Sequence, residues 1–199
     1  ERITSEAYNF EVPVDRIHDR RHIIRLDQGP TASFKDFAAR FMAHTMQYYQ
    51  RSEDSERIIL VATSGDTGSA VAHAFHGMSG YRIVVLFPAD GISERQRKQM
   101  TTLGCNVTAV AVDGTFDDCQ RLAKDAFADE ALRAAAGLTS ANSINVGRLI
   151  PQSFYYVHAA ARLGWEASPA TYVVPSGNLG NLTAGLLVHR AGMPASGFV

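Results

Sequence analysis

Cysteine is scarce in this chain: Cys105 and Cys119 are the only two in 199 residues. Two are too few for a disulfide framework and lack the paired spacing of a zinc site, so a reducing cytoplasm is the expected setting. An excess charge of one sign is missing as well. Lys plus Arg is 19 and Asp plus Glu is 20, a formal net charge of −1, whereas a nucleic-acid-binding domain would carry a basic excess. Long apolar runs are absent. The longest are pieces such as Ile58-Ile59-Leu60-Val61-Ala62, far short of the roughly 18 residues a membrane-spanning helix needs. No repeat, low-complexity tract or Pro/Gly/Ser linker interrupts the chain. It reads as a soluble body with no nucleic-acid and no membrane partner. It opens at Glu1 and stops at Ser196-Gly197-Phe198-Val199, in what reads as a new strand, so a fragment of a longer protein is expected.

What is present is a pattern. From Ile58 onward, short β-branched runs alternate with amphipathic stretches, the signature of βαβ units on a parallel sheet. The fold class is α/β. Strands are expected at residues 57–63, 82–87, 106–112 and 171–174, nearly continuously apolar as strands covered on both faces should be. Helices are expected at 34–51, 67–78, 93–103, 115–128, 146–163 and 181–191. Gly80, Gly104, Gly164 and Gly192 stand where left-handed C-terminal residues belong, and Ser93 and Thr115 are candidate N-caps. Thr115 to Asp118 has capping-box spacing, with Asp where Glu or Gln is usual. The first thirty residues, with Arg16, Arg20, Arg21 and Arg25 among Asp15, Asp19 and His18, read as a solvated connection or edge element.

Four stretches could carry chemistry. Thr63-Ser64-Gly65-Asp66-Thr67-Gly68 leaves a strand and opens a helix, so its N–H groups and hydroxyls can hold an anion. Pro175-Ser176-Gly177-Asn178-Leu179-Gly180-Asn181 does the same, with two glycines that admit a phosphate close to the backbone. Neither loop is a Walker loop or a GxGxxG fingerprint. In Gly29-Pro30-Thr31-Ala32-Ser33-Phe34-Lys35-Asp36-Phe37 one lysine starts a largely apolar helix. Burial and the helix dipole both disfavour its charged form and expose a nucleophilic amine, as a Schiff base requires; the ordinary alternative is a snorkelling lysine paired to Asp36. Finally, Asn142, Ser143 and Arg148 share one loop-to-helix turn and could clamp an oxyanion. His73 and His76 lack a third ligand, so no metal site is expected. Phe154, Tyr155 and Tyr156 read as core or interface.

Together, these motifs with Met100-Thr101-Thr102-Leu103-Gly104, Gly114-Thr115-Phe116-Asp117-Asp118-Cys119 and Asn142-Ser143-Ile144-Asn145 resemble the threonine synthases, enzymes of the tryptophan-synthase-β-like family (fold type II), over essentially the whole chain. The resemblance implies pyridoxal 5'-phosphate as cofactor, Lys35 as its Schiff-base lysine and proton shuttle, and the backbone of Gly177, Asn178, Leu179, Gly180 and Asn181 as its phosphate cradle. It implies that Asp66 lies by the ring hydroxyl, that the Thr63, Ser64 and Thr67 turn binds the substrate carboxylate, and that Asn142, Ser143 and Arg148 clamp the phosphate of O-phosphohomoserine. The implied reaction makes threonine. Two stretches depart from the family: Asp27 and Gln28 replace its usual aromatic and histidine, and Ala89-Asp90-Gly91 lacks its basic residue. A threonine or serine dehydratase, or a non-catalytic relative, would share the same fold. The implied division is residues 1–36 in a large domain with the lysine, 37–151 in a small α/β domain, and 152–199 in the large domain with the phosphate loop. Such an incomplete large domain would expose apolar surface and self-associate.

Overall fold

The computed structural model describes residues 1–50, 56–141, 145–164 and 169–199. A short helix α1 (Arg2–Ala7) precedes an antiparallel hairpin, β1 (Val14–His18) and β2 (Arg21–Ile24). The expected solvated connection is therefore an ordered but exposed hairpin. Then follow α2 (Lys35–Tyr49), β3 (Arg57–Ala62), α3 (Asp66–Phe75), β4 (Tyr81–Pro88), α4 (Glu94–Thr101), β5 (Val107–Val112), α5 (Phe116–Ala128), α6 (Glu130–Ala136) and β6 (Thr139–Ser140). The chain finishes with α7 (Val146–Leu149), a 3-10 turn at Ile150–Gln152, α8 (Ser153–Leu163), β7 (Ala170–Tyr172), α9 (Gly180–Arg190) and β8 (Ala195–Phe198).

The central sheet has the order β5-β4-β3-β6, every pair parallel. The chain moves outward from β3 to β5, then returns past β3 to β6. Right-handed crossovers therefore put α3 and α4 on one face and α5 on the other. The order reverses between β3 and β6, and ligands of open parallel sheets bind in the crevice beyond the strands' carboxyl ends at such a point. The turn after β3 leaves the sheet there.

Two apolar cores form. One gathers Met42, Ile59, Val61, Val71, Phe75, Ile83, Val85 and Met100 around the central sheet. The other joins Phe37, Tyr155, Tyr156, Tyr172 and Met193 with Tyr8, Phe10 and Phe198 from the chain's two ends. Helix α2 serves both, because Phe37 faces the second core while Ala39, Met42 and Ala43 face the first.

The boundaries show local chemistry at work. Ser93 and Thr115 cap their helices as expected, each in a reciprocal capping box, and Asp118 fills the role normally taken by Glu or Gln. The four glycines at the expected helix ends all hold positive φ. The helix expected over 146–163 is broken instead into α7, the 3-10 turn and α8, because Pro151 has no N–H to donate. Arg51, the expected end of α2, lies outside the described residues. Among the described residues, no helix is long and apolar enough to cross a membrane.

Candidate active site

Lys35 is the first residue of α2, and the loop before it is shaped by its neighbour. The buried Asp36 carboxylate accepts the Thr31 backbone N–H at 2.9 Å and the Thr31 hydroxyl at 2.7 Å. A Cβ on Gly29 would lie 2.5 Å from that carboxylate, so only glycine lets the loop close over it. With Asp36 so engaged, Lys35 does not pair with it. Its Nζ lies 3.4 Å from Asp66 Oδ2 and 4.7 Å from the centre of the Phe34 ring, and its side chain is 17% exposed. A half-buried amine thus meets a carboxylate from a different element.

The turn after β3 supplies that carboxylate. Thr63 is buried and its hydroxyl accepts the N–H groups of Gly65 at 3.0 Å and Gly68 at 2.9 Å. That hydroxyl shapes the turn, leaving Ser64, Asp66 and Thr67 to line the space above it. Asp66 begins α3, and its other oxygen accepts Gln96 Nε2 at 2.7 Å. Gln96 escaped the sequence reading. Its capping-box spacing from Ser93 was visible, but a helix-start motif gives no hint of a contact thirty residues away.

The loop after β7 forms the facing wall through Ser176, Gly177 and Asn178. Leu179, at φ 61, caps α9, whose first N–H, on Gly180, donates to Asn178 Oδ1 at 3.2 Å. Asn181 turns its side chain the other way. Its Oδ1 accepts the hydroxyls of Tyr155 at 2.8 Å and Tyr156 at 2.7 Å, tying α9 to α8. Burial pushes both phenols well above their ordinary range, so they remain protonated donors.

These pieces enclose a cavity of about 690 Å³, a volume suited to a small molecule. Lys35, Thr63, Ser64, Asp66, Thr67, Gly177 and Asn178 all border it, as do Phe116, Gln120, Lys124 and Phe127 from one face of α5. Leu179, Gly180 and Asn181 stand behind the wall at the start of α9. Arg148 stands apart as well: it is buried, its Nη1 donates to the Ala141 carbonyl at 2.6 Å, and its Nε has no partner among the described residues. Burial pushes the guanidinium down to about 10, so it is still charged at neutral pH. Asn142 and Ser143 lie outside the described residues.

A parallel α/β sheet with a switch-point crevice, an amine beside a carboxylate and a glycine loop at a helix N-terminus are the parts needed by an enzyme class that holds a phosphorylated cofactor on a lysine. The chain belongs to the pyridoxal-phosphate dependent enzyme family, whose model matches residues 22–198. It is 48% identical to a threonine synthase of Escherichia coli over 97% of its own length and 45% of that protein's. The crystal structure of the Escherichia coli threonine synthase superposes with a TM-score of 0.90 at 46% identity, covering 99% of this chain and 46% of that one. A pyridoxal-phosphate-bound threonine synthase from Brucella melitensis gives 0.88 at 37% identity, covering 99% and 44%. The chain spans a little under half the length of the relatives it matches.

Proposed function

We propose that this chain carries the cofactor site of a threonine synthase, which converts O-phospho-L-homoserine and water to L-threonine and phosphate. The observation that carries the reading is the Lys35 amine 3.4 Å from the Asp66 carboxylate in a cavity walled by the Ser176 to Asn178 loop. This donor set fits pyridoxal 5'-phosphate. Lys35 would supply the amine for its aldehyde, Asp66 the partner for its ring hydroxyl, and the Gly177 and Asn178 backbone on the cavity wall, backed by Leu179, Gly180 and Asn181 at the positive end of α9, would hold its phosphate. Nothing lies within 4 Å of where a Gly177 Cβ would be, so that backbone is open to close approach. When bound, the cofactor supplies an electron sink for carbanions.

The protein's own groups do the rest. Lys35 Nζ takes and returns protons at the substrate carbons. Ser64 and Thr67, on the turn that the Thr63 hydroxyl holds, bind the substrate carboxylate at the start of α3. We assign the clamping of the substrate phosphate to Arg148, with Asn142 and Ser143, from the resemblance; the Arg148 side chain is buried away from the cavity wall, its charge met by a carbonyl rather than a carboxylate among the described residues. The phosphate leaves from the γ-carbon and a hydroxyl is gained at the β-carbon. The two cores support a small domain over 37–151 between large-domain segments 1–36 and 152–199, with the cavity between them. The free thiols of Cys105 and Cys119 suit a reducing compartment, and we place the activity in the cytoplasm.

The test uses a full-length protein containing this segment, incubated with pyridoxal phosphate, dialysed, reduced with borohydride and mapped by mass spectrometry. The label is expected on Lys35, and Lys35→Ala should remove it while leaving the melting temperature nearly unchanged, because the change adds no buried volume. Turnover of O-phosphohomoserine should vanish in the same variant. A label on another lysine, or turnover without Lys35, would overturn the assignment.

A further inference from the structure

One face of helix α4 holds the candidate site together. Gln96 Nε2 donates to Asp66 Oδ1 at 2.7 Å, and Gln99 Nε2 donates to the Thr31 carbonyl in the loop before Lys35 at 3.4 Å. Met100, one turn on from Gln96, is buried and would lie 2.8 Å from a Cβ on Gly68. These three positions, i, i+3 and i+4, share one face of a helix. The orientation of the Gln96 amide follows from its neighbours. The Ser93 backbone N–H, which can only donate, lies 3.3 Å from Gln96 Oε1, and the Ser93 hydroxyl donates to the same oxygen at 3.0 Å. The amide nitrogen is therefore the atom that faces the carboxylate. The approach is tight: Gly65 has φ +150, and a Cβ there would lie 2.4 Å from the Gln96 amide nitrogen.

From this chain of contacts, Ser93 to Gln96 to Asp66 to Lys35, we infer that Gln96 is a positioning residue for the cofactor site. It fixes one oxygen of Asp66 so that the other is presented to Lys35 and, with the cofactor bound, to its ring hydroxyl. A carboxylate with half its side chain in solvent rotates freely unless something holds it, and a donor at 2.7 Å from a locked amide does so. Gln96 touches no reacting atom; it acts through Asp66. The charged groups on the cavity wall are Lys35, Asp66 and, from α5, Lys124, so a change of charge at Gln96 is felt directly by the amine.

The inference rests on the reading of this cavity as the pyridoxal-phosphate site, and the experiment separates the two. It uses full-length protein and three variants, Gln96→Leu, Gln96→Glu and Ser93→Ala. Three quantities are measured: cofactor affinity, melting temperature, and the pH profile of Lys35 acylation by acetic anhydride in cofactor-free protein. Loss of a hydrogen bond to a charged group should weaken cofactor binding about ten- to hundred-fold in Gln96→Leu. Ser93→Ala, which damages the same helix cap, should lower the melting temperature by a similar amount but weaken affinity several-fold less than Gln96→Leu does, because Gln96 and the Ser93 N–H that holds its Oε1 remain. Gln96→Glu puts a second carboxylate beside Asp66, favours the ammonium form of Lys35, and should move the acylation profile up by about one pH unit. Wild-type affinity in Gln96→Leu, losses in Ser93→Ala equal to those in Gln96→Leu, or an unmoved acylation profile in Gln96→Glu would each overturn the positioning role. If the wild-type protein itself takes no cofactor on Lys35, the reading of the site falls, and this inference with it.

Discussion

At the scale of single residues, the arrangement separates groups by what already occupies them. Asp36 is spent on the Thr31 loop, the Thr63 hydroxyl on its turn, and the Asn181 side chain on two tyrosines. Lys35 and Asp66 face the cavity, while Arg148 keeps a buried charge that no carboxylate meets among the described residues. A guanidinium in that condition is costly for the folded chain unless an anion meets it. Its held-down proton affinity, about 10, still leaves it charged under physiological conditions. Replacing it in the full-length protein, Arg148→Ala, should therefore lower kcat/KM for O-phosphohomoserine by about 1.5 to 3 kcal/mol, the value of a hydrogen bond to a charged group. Side-by-side steady-state kinetics with L-serine and L-threonine, which carry no phosphate, should show little change. Equal losses on both kinds of substrate would favour a dehydratase that never needed the guanidinium for phosphate.

At the scale of elements, what was legible in the sequence was whatever depends on near neighbours. The short apolar runs gave β3, β4 and β5, and the caps at Ser93 and Thr115 could be placed because capping is a matter of a few residues' spacing. Strand β6 was missed because its two residues, Thr139 and Ser140, carry no periodicity and exist only by pairing with Ile59 and Leu60. Strand β8 was expected from the chain's last residues, and it forms there by pairing parallel with β7. The candidate site divides in the same way. Lys35, Asp66 and Gly177 stood out through their own loops, whereas Gln96, Gln120 and Lys124 reach the cavity only after α4 and α5 have packed. Helix α5 deserves a test because its register sets which of its side chains face the cavity. At its start the Thr115 backbone N–H and hydroxyl, with Arg121, hold the Asp118 carboxylate below its usual range. A carboxylate so depressed contributes stability above its unfolded value, near pH 4, and loses that contribution as pH falls through the lower folded value. The stability gap between wild type and Asp118→Asn in urea titrations should therefore be constant from neutral pH to about pH 5. It should close as the pH drops below about 4. A gap that widens on acidification would mean that the cap does not depend on the ionised carboxylate.

At the scale of the whole molecule, the two cores are unequally finished. The first surrounds a four-stranded parallel sheet that has helices on both faces, as such sheets require. The second rests on the two-stranded parallel pair β7–β8, packed by α8 and α9 and by residues from the chain's beginning. Parallel pairs of two strands are seldom covered adequately, and around this one Val173 is 76% exposed and Val199 77%, with Leu179, Leu186 and Leu187 also open. Apolar groups gathered in this way favour association in water. The 199-residue chain by itself should therefore sediment as a concentration-dependent mixture of monomer and larger species. A chain extended to the length of its threonine synthase relatives should lose that particular association where its further residues pack against these apolar side chains. Sedimentation velocity over a hundredfold range of concentration distinguishes the two cases. Charged substitutions at Leu186 and Leu187 should shift the short chain toward monomer while lowering its unfolding free energy by no more than about 1 kcal/mol, since both side chains are already partly in solvent. A short chain that stays monomeric throughout would show that the exposed leucines and valines are too dispersed to act together.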